Sequence, residues 1–205
     1  RVIPMGMLHK VIGGGVGILI AISSITTAFA CDNGGCYSCL YNDWDEDLKV
    51  YTRDLCEEYD VEYSRVLAII WNESRFDASA TGYNSNGTKD YGLMQLNDVT
   101  FDFLNENIGI ESMDELYDPE TNILAGVTLL SYYEGITGDS DTALSMYQTG
   151  AGAYYEGYVH PSYETVVNKT SQFEEVVKAE ESNKLQETAT KISEKVSMIS
   201  ALSVE

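Results

Sequence analysis

The chain has 205 residues, enough for one domain of ordinary size and some additional segments. It carries 33 acidic against 12 basic residues, a formal charge of -21 at pH 7. A nucleic-acid backbone is bound by clustered Lys and Arg, so this charge excludes a nucleic-acid partner. The composition is 44% hydrophobic and 11% aromatic, which is typical of a folded chain and excludes a wholly disordered one.

The first 30 residues have the pattern of an export signal. Basic residues precede an uncharged run over residues 11–30, which ends in Ala28-Phe29-Ala30. A signal peptidase accepts two small residues separated by one other, so we predict cleavage after Ala30. A run of about 20 apolar residues could also span a bilayer, and a retained membrane anchor is the alternative. In both cases the protein is predicted to be secreted or in the cell envelope, and to meet the membrane only through this segment.

Four cysteines follow within residues 31–56. In an exported protein an even number of cysteines predicts disulfides, here two bridges with three alternative connectivities. A zinc site is a second interpretation, because Cys36 and Cys39 have the spacing of metal ligands. Lipidation of Cys31 is a third, since this residue directly follows the cleavage site, although Ala-Phe-Ala is a poor match to a lipoprotein signal. The four residues are Cys31, Cys36, Cys39 and Cys56.

Helical periodicity begins near residue 45. We therefore predict a mainly α domain over residues 45–170, after a cysteine-rich linker over residues 31–44. A stretch over residues 77–91 is rich in Gly, Asn, Ser and Thr and has no helical period, which predicts a long loop or small hairpin. Helices are predicted over residues 45–58, 62–76, 99–106, 118–135 and 142–148.

Two later segments have informative spacing. Asp118 and Pro119 form an N-cap and first turn, and the helix that they open has a core-facing stripe of Ile123, Val127 and Leu130. Residues 171–205 are charged and low in aromatic residues, and we predict a solvated or partly ordered helical tail. The tail has a heptad pattern over about two heptads, fewer than a coiled coil needs. Its apolar positions are Leu185, Ala189, Ile192, Val196 and Ile199.

Glu73 lies on a predicted helix face that is otherwise apolar. The apolar residues on this face stand seven and four positions before Glu73 and three after it. Burial disfavours the charged form of a carboxyl group and raises its pKa, which lets a general acid hold its proton near neutral pH. A surface position beside Asn72 and Arg75 is the alternative. The apolar residues are Val66, Ile69 and Phe76.

Asp90 follows Glu73 by 17 residues, at the end of the predicted loop. Glycosidases use two carboxyl groups on either side of one cleft, so the pair of Glu73 and Asp90 indicates cleavage of a glycosidic bond. An Asp in a loop of this kind is also common as a turn or capping residue, which is the alternative role of Asp90.

Ordered motifs give the chain a resemblance to a known family. Residues 73–76 read Glu-Ser-Arg-Phe, and residues 84–97 read Asn-Ser-Asn-Gly-Thr-Lys-Asp-Tyr-Gly-Leu-Met-Gln-Leu-Asn. Asp-Pro-Glu-Thr-Asn-Ile follows at 118–123, Ala-Leu-Ser-Met-Tyr-Gln-Thr-Gly at 143–150, and Tyr163 with Val166 or Val167 ends the series. Over residues 48–170 the chain resembles the goose-type and soluble lytic transglycosylase superfamily, and most closely the specialised transglycosylases of type IV and type III secretion systems.

The resemblance implies a lysozyme-like α-helical fold and a reaction. Glu73 would protonate the glycosidic oxygen between N-acetylmuramic acid and N-acetylglucosamine of peptidoglycan and would later act as base. The 6-hydroxyl of the muramic acid sugar would attack its own anomeric carbon and form a 1,6-anhydro product, with no cofactor and no metal. Gly92 to Gln95 would line the floor of the cleft, and Tyr147 and Tyr163 would border the acid. The predicted substrate-binding residues are Ser74, Asp90, Gly92, Leu93, Met94, Gln95, Tyr147, Gln148 and Tyr163.

One position departs from the family pattern, and other functions stay open. The family has Asn where this chain has Gln148, which is one methylene longer. Animal-type lysozymes also place a second carboxylate at the spacing of Asp90, so a hydrolytic muramidase that uses Glu73 and Asp90 is one alternative. A non-catalytic wall-binding module is another, and a third is an enzyme that docks into a secretion or conjugation apparatus through its tail. Peptidoglycan glycan strands are the predicted partner.

Overall fold

The computed structural model describes the backbone of residues 37–202 and the side chains of residues 37–199. The predicted export signal, Cys31 and Cys36 lie outside the described residues. The described part is mainly helical with one small antiparallel sheet, which confirms the prediction of a mainly α fold with a hairpin after the helix that carries Glu73. The helices are α1 (Tyr37–Asp43), α2 (Glu46–Glu58), α3 (Tyr63–Ser74), α4 (Phe101–Ile108), α5 (Pro119–Thr137), α6 (Ser140–Thr149), α7 (Ala151–Tyr155) and α8 (Tyr163–Leu202), with short 3-10 turns at Asp98–Thr100 and Met113–Tyr117.

Two helices begin where the sequence predicts them, because a side chain caps each first turn. Asp45 accepts a hydrogen bond from the backbone N–H of Asp47 at 2.9 Å and thereby caps α2. Asp118 accepts one from the backbone N–H of Thr121 at 2.9 Å, and Pro119 occupies the first turn of α5. These caps satisfy N–H groups that have no partner inside a helix, so the starting points follow from local sequence.

The stretch after α3 folds into a three-stranded sheet in which Asp90 lies on the central strand. Asp90 stands opposite Gly82 on one neighbouring strand and opposite Asn97 on the other. Directly opposed residues of antiparallel strands point to the same face, so the register brings the Asp90 and Asn97 side chains together. In the first turn Gly87 has a φ of 89°, a conformation that glycine adopts readily. The strands are β1 (Thr81–Tyr83), β2 (Lys89–Tyr91) and β3 (Leu96–Asn97), in the order β1-β2-β3.

The core of the domain is built around α3. Residues 66–70 are fully buried, and α8 packs along this helix with Val166, Phe173 and Val176 in the same hydrophobic cluster. A second cluster lies between the sheet, α4 and α5. Tyr147 packs against both clusters. The last turn of α3, which carries Glu73, is therefore anchored on the part of the molecule with the most buried apolar surface.

The predicted helix over residues 62–76 is shorter in the structure, which ends α3 at Ser74. Arg75 and Phe76 have φ values of 57° and 65°, so the chain turns sharply after the helix. Phe76 therefore does not share a helix face with Glu73, contrary to the prediction. Its ring instead lies 5.1 Å from the ring of Trp44 and 6.2 Å from that of Phe173, centroid to centroid.

The structure differs from the predicted domain division at both ends. α1 lies in the predicted linker, yet its Tyr37 ring lies 5.4 Å from that of Phe173 and is buried. α8 runs without a break across residues 170 and 171, and the Tyr41 hydroxyl donates to Glu180 at 2.6 Å. α1 and the first turns of the predicted tail therefore belong to the domain core. Residues 181–199 are exposed, and among the described residues no helix is both long and apolar enough to cross a membrane.

The prediction of two disulfides is wrong for Cys56, which is a free thiol in α2. This thiol packs in the hydrophobic core, and burial raises its pKa to about 12. Two bridges would need all four cysteines, so this pairing scheme does not describe the fold. Among the described residues no cluster of His, Cys, Asp and Glu is suited to hold a metal ion, and the alternative of a zinc site gains no support from them.

Candidate active site

Glu73 lies in the last turn of α3 with its carboxyl group half-buried. Burial raises its pKa above the ordinary value of 4.5, and the negative charge of Asp90 raises it further. A hydrogen bond of 3.0 Å from the Asn72 side-chain amide and the charge of Arg75 offset part of this effect. A carboxyl group in such surroundings can hold a proton at a higher pH than an exposed Glu.

Asp90 is placed differently, because an amide N–H donates to each of its carboxylate oxygens. The Asn84 side chain donates to Oδ2 at 2.8 Å, and the Asn97 side chain donates to Oδ1 at 2.6 Å. Gly82 leaves room for the carboxylate, since a Cβ at this position would lie 2.9 Å from Oδ2. Asp90 thus ties the β1–β2 turn to β3.

The segment from Gly92 to Gln95 is held in place by Asn122, which belongs to the Asp-Pro-Glu-Thr-Asn-Ile motif and had no predicted role. Asn122 is fully buried on α5, and its side-chain oxygen accepts from the Met94 backbone N–H at 2.8 Å. Its amide donates to the carbonyl oxygens of Tyr91 at 2.9 Å and Leu116 at 2.8 Å. Gly92 has a φ of 69°, and a Cβ there would collide with Asn122 and Leu116.

In the segment from Gly92 to Gln95, two side chains face the core and one faces the cleft. Leu93 and Met94 are fully buried, and a Cβ at Gly126 would collide with the Met94 side chain. They support the segment from the core side. Gln95 has a φ of 47° and donates to the Gly92 carbonyl oxygen at 2.9 Å, and its side chain reaches the cleft. The side chain of Ser74 is used inside α3, because its hydroxyl donates to the Ile70 carbonyl oxygen at 3.2 Å.

Tyr147 joins the segment to Glu73. Its hydroxyl donates to the Met94 carbonyl oxygen at 2.9 Å. Burial raises the pKa of Tyr147 well above its usual value, and the charge of Glu73 has the next largest effect in the same direction. Tyr147 therefore lies near Glu73, in agreement with its motif position, and stays protonated so that it can donate this bond.

Gln148 and Tyr163 have neighbours other than Glu73. The Gln148 amide donates to the Ser162 hydroxyl at 2.7 Å, and its buried side-chain oxygen has no hydrogen-bond partner among the described residues. The pKa of Tyr163 is raised first by burial and then by the charge of Asp141. Asp141 is paired with Arg65 in the first turn of α3, whereas Glu73 is in the last turn. The structure thus groups Tyr163 with the opposite end of α3.

A cleft of about 700 Å³ adjoins these residues. Gln95, Tyr147 and Gln148 line it, while Glu73 and Asp90 lie next to lining residues and do not line it themselves. Amide, hydroxyl and aromatic side chains make up most of the lining, and no charged residue is among them. The lining comes from the β1–β2 turn, Gln95, β3, the 3-10 turn at Asp98–Thr100, α4, α5 and the segment from Tyr147 to Gly152.

Comparison with known proteins identifies the family of the chain. Residues 51–157, about half of the chain and all of the segment from Glu73 to Gln148, match the model of the transglycosylase SLT domain. The chain belongs to this family. The match begins in α2 and ends just after α7, so it spans the helix of Glu73, the sheet and the cleft-lining segments.

Two proteins of Salmonella and Shigella are similar in sequence to the chain. The invasion protein IagB of Salmonella typhimurium is 33% identical over 92 residues, which are 45% of this chain and 57% of IagB. The protein IpgF of Shigella flexneri is 33% identical over 94 residues, 46% of this chain and 61% of IpgF. The chain thus spans about three-fifths of the length of these relatives.

Among solved structures, an inactive mutant of the lytic transglycosylase Slt from Pseudomonas aeruginosa is similar to the chain. It has a TM-score of 0.45 and 24% identity, and covers 62% of this chain and 21% of Slt. Wild-type DslA has a TM-score of 0.39 and 16% identity, over 48% of this chain and 74% of DslA.

Proposed function

We propose that the chain is a peptidoglycan lytic transglycosylase that cleaves the β-1,4 bond between N-acetylmuramic acid and N-acetylglucosamine, with Glu73 as general acid and then base. The observation that carries this proposal is the environment of Glu73, a half-buried carboxyl group with a raised pKa. It adjoins a cleft whose lining is uncharged and rich in amide and aromatic side chains. Such a group can hold a proton for a leaving oxygen, and such a lining suits a sugar chain.

In the proposed reaction, protonated Glu73 donates its proton to the glycosidic oxygen while the bond from this oxygen to the anomeric carbon breaks. The electron pair of the broken bond stays on the leaving oxygen. The 6-hydroxyl oxygen of the muramic acid sugar then bonds to the same anomeric carbon, and its proton passes to the Glu73 carboxylate. The products are a 1,6-anhydro sugar and a free 4-hydroxyl group, water is not consumed, and Glu73 is protonated again.

The hydrogen bonds of Asp90 favour this reaction over a retaining hydrolysis. In a retaining hydrolase the second carboxylate attacks the anomeric carbon or stabilises the glycosyl intermediate, so one of its oxygens must face the sugar. Both oxygens of Asp90 accept short bonds from Asn84 and Asn97. Asp90 is better suited to order the sheet and to raise the pKa of Glu73 than to act as nucleophile.

Tyr147 and Gln148 support the substrate side of the proposal. Tyr147 fixes the backbone at Met94 relative to Glu73 and also lines the cleft, so it connects the acid to the bound sugar. The longer amide of Gln148 is anchored by Ser162, and the residue lines the cleft next to Tyr147. We include Gly92 and Gln95 as residues that shape this end of the cleft.

The cell-envelope setting and a secretion or conjugation apparatus as partner are part of the same proposal. Family membership supports peptidoglycan strands as the substrate and therefore a place of action outside the cytoplasm. The similarity to a protein named for invasion supports a specialised role beside general wall turnover. The export segment over residues 1–30 is the predicted means of reaching the envelope.

Mass analysis of the products tests the reaction type. We expect purified peptidoglycan digested with the protein to release fragments that end in 1,6-anhydro-muramic acid, one water lighter than fragments with reducing ends. The same digestion with Glu73→Gln provides the control for contaminating activity. Reducing ends as the main product would identify a hydrolytic muramidase, and the absence of any fragments would favour a non-catalytic wall-binding module.

A further inference from the structure

A second side of the cleft, distant in sequence from Glu73, carries a group of aromatic rings. Phe103 of α4 and Tyr132 of α5 have ring centroids 5.0 Å apart, and Tyr132 lies 5.8 Å from the ring of Tyr133. The rings are tilted by 51° and 49°, which is a favourable arrangement for aromatic pairs. All three residues line the cleft.

Tyr132 stands out in this group because it has the least part in the core. Phe103 and Tyr133 pack against the hydrophobic cluster around Leu104 and Leu129, whereas Tyr132 belongs to neither cluster and is 49% exposed. Folding therefore gains little from an aromatic ring at this position. Phe103 and Tyr133 hold the ring in place while about half of its surface faces solvent at the cleft.

The rest of the cleft is chemically complementary to a neutral sugar. The β1–β2 turn contributes Asn84, Asn86 and Thr88, and β3 contributes Asn97. These side chains offer amide and hydroxyl groups to the hydroxyl and acetamido groups of a ligand. The lining has no cation to pair with a carboxylate, and the chain as a whole has a charge of -21, so an anionic ligand would be repelled.

We propose that Tyr132 is a stacking platform that binds an uncharged N-acetylhexosamine ring of the glycan strand. The apolar face of a pyranose would lie on the exposed face of the Tyr132 ring, with the amide groups of the β1–β2 turn and β3 around its polar edge. This inference rests on the proposed function, and it assigns an individual binding residue that the sequence pattern does not reveal among 15 tyrosines.

Binding of uncharged N-acetylglucosamine oligomers by titration calorimetry tests the platform. The measurements use the Glu73→Gln background so that no cleavage occurs. We expect Tyr132→Ala to weaken binding about ten-fold, a change of about 1.4 kcal/mol. Tyr132→Phe keeps the ring and should bind like the parent. Tyr158→Ala is the matched control, since Tyr158 is 51% exposed but does not line the cleft, and should have no effect.

The outcomes separate this inference from the proposed function. Thermal unfolding shows whether Tyr132→Ala is folded. If it is folded and binds the oligomers within two-fold of the parent, Tyr132 is not a stacking platform. That result would not contradict the proposed function, which is tested by wall cleavage with the unmutated protein. Equal losses for Tyr132→Ala and Tyr158→Ala would overturn it as well. If Tyr132→Ala does not fold, Tyr132→Leu, which keeps an apolar contact with Phe103 but has no flat ring, is judged by the same criterion. Parent protein that cleaves peptidoglycan but binds no oligomer also contradicts the platform.

Discussion

The last turn of α3 and the three-stranded sheet each hold one carboxylate of the site, and the two carboxylates have different surroundings. Glu73 is half-buried and accepts a bond of 3.0 Å from Asn72, and burial dominates its raised pKa. Asp90 accepts one amide donor on each oxygen, at 2.8 and 2.6 Å. Desolvation favours the protonated form of Glu73, whereas the oxygens of Asp90 are both used in hydrogen bonds within the sheet.

This difference supports the roles proposed for the two residues, which residue type alone does not distinguish. Both groups are carboxylates on the same side of the molecule, and the charge of Asp90 acts on Glu73. In the proposed function Glu73 is the proton donor, and Asp90 orders the sheet through its two amide partners.

Glu73→Gln should have the largest effect on activity. The amide keeps the size and shape of the side chain but has no proton to donate, so we expect wall cleavage to fall by about 10²–10⁴-fold. Release of soluble fragments from purified peptidoglycan measures the loss. Glu57→Gln, an exposed position on α2, is the matched control and should retain full activity. More than about a hundredth of the original activity in Glu73→Gln would contradict the general acid.

Asp90→Asn should cost less, about ten-fold in cleavage rate. An amide offers one acceptor oxygen instead of two, so the donor from Asn84 or from Asn97 loses its partner, at about 0.5–1.5 kcal/mol. The charge that raises the pKa of Glu73 also disappears, and the high-pH limb of the rate profile should move to lower pH. Cleavage rates measured from pH 4 to 9 test this prediction. We expect the products to keep their 1,6-anhydro ends.

Asp102→Asn on the exposed side of α4 is the control for Asp90→Asn and should leave the profile unchanged. A loss as large as that of Glu73→Gln, together with reducing ends from the unmutated protein, would instead identify Asp90 as the second carboxylate of a hydrolase.

The smallest effect concerns folding stability. Since the folded-state pKa of Glu73 lies above 4.5, ionised Glu73 disfavours the folded state, and stability is lost as the pH rises through the raised pKa. We therefore expect Glu73→Gln to raise the melting temperature at pH 7 and to leave it nearly unchanged at pH 4, where Glu is protonated in both states. Thermal unfolding at the two pH values measures this. A lower melting temperature at pH 7 than the unmutated protein would show that Glu73 is not desolvated.

Several parts of the fold could be predicted because their causes are local. Asp45 and Asp118 cap the helices that follow them, and the stripe of Ile123, Val127 and Leu130 is fully buried as its spacing predicts. The hairpin after α3 follows from a stretch of Asn, Gly and Thr without helical period. Helix ends were harder to predict, since Arg75 and Phe76 leave α3 through left-handed conformations that periodicity does not reveal.

Some of the predicted site residues lie at the cleft, and others lie in the core. Tyr147 lies near Glu73, and Gln95 lines the cleft, as motif positions suggest. Leu93 and Met94 face the core, because the strict turn at Gly92 sends their side chains against α5. The sequence showed Asn122 as part of a motif but did not show its structural role, because its three hydrogen-bond partners come from two other parts of the chain.

The sequence by itself determined the starts of the capped helices, the apolar surroundings of α3 and the identity of the carboxylates, because these depend on neighbours within one or two turns. Only the tertiary structure decided which donors Asp90 receives, that Cys56 stays a buried thiol, and that α1 and the start of α8 complete the core. It alone also placed Tyr132 at the cleft beside Phe103. Each of these depends on strand register or helix packing between distant segments, and a local pattern carries no information about such contacts.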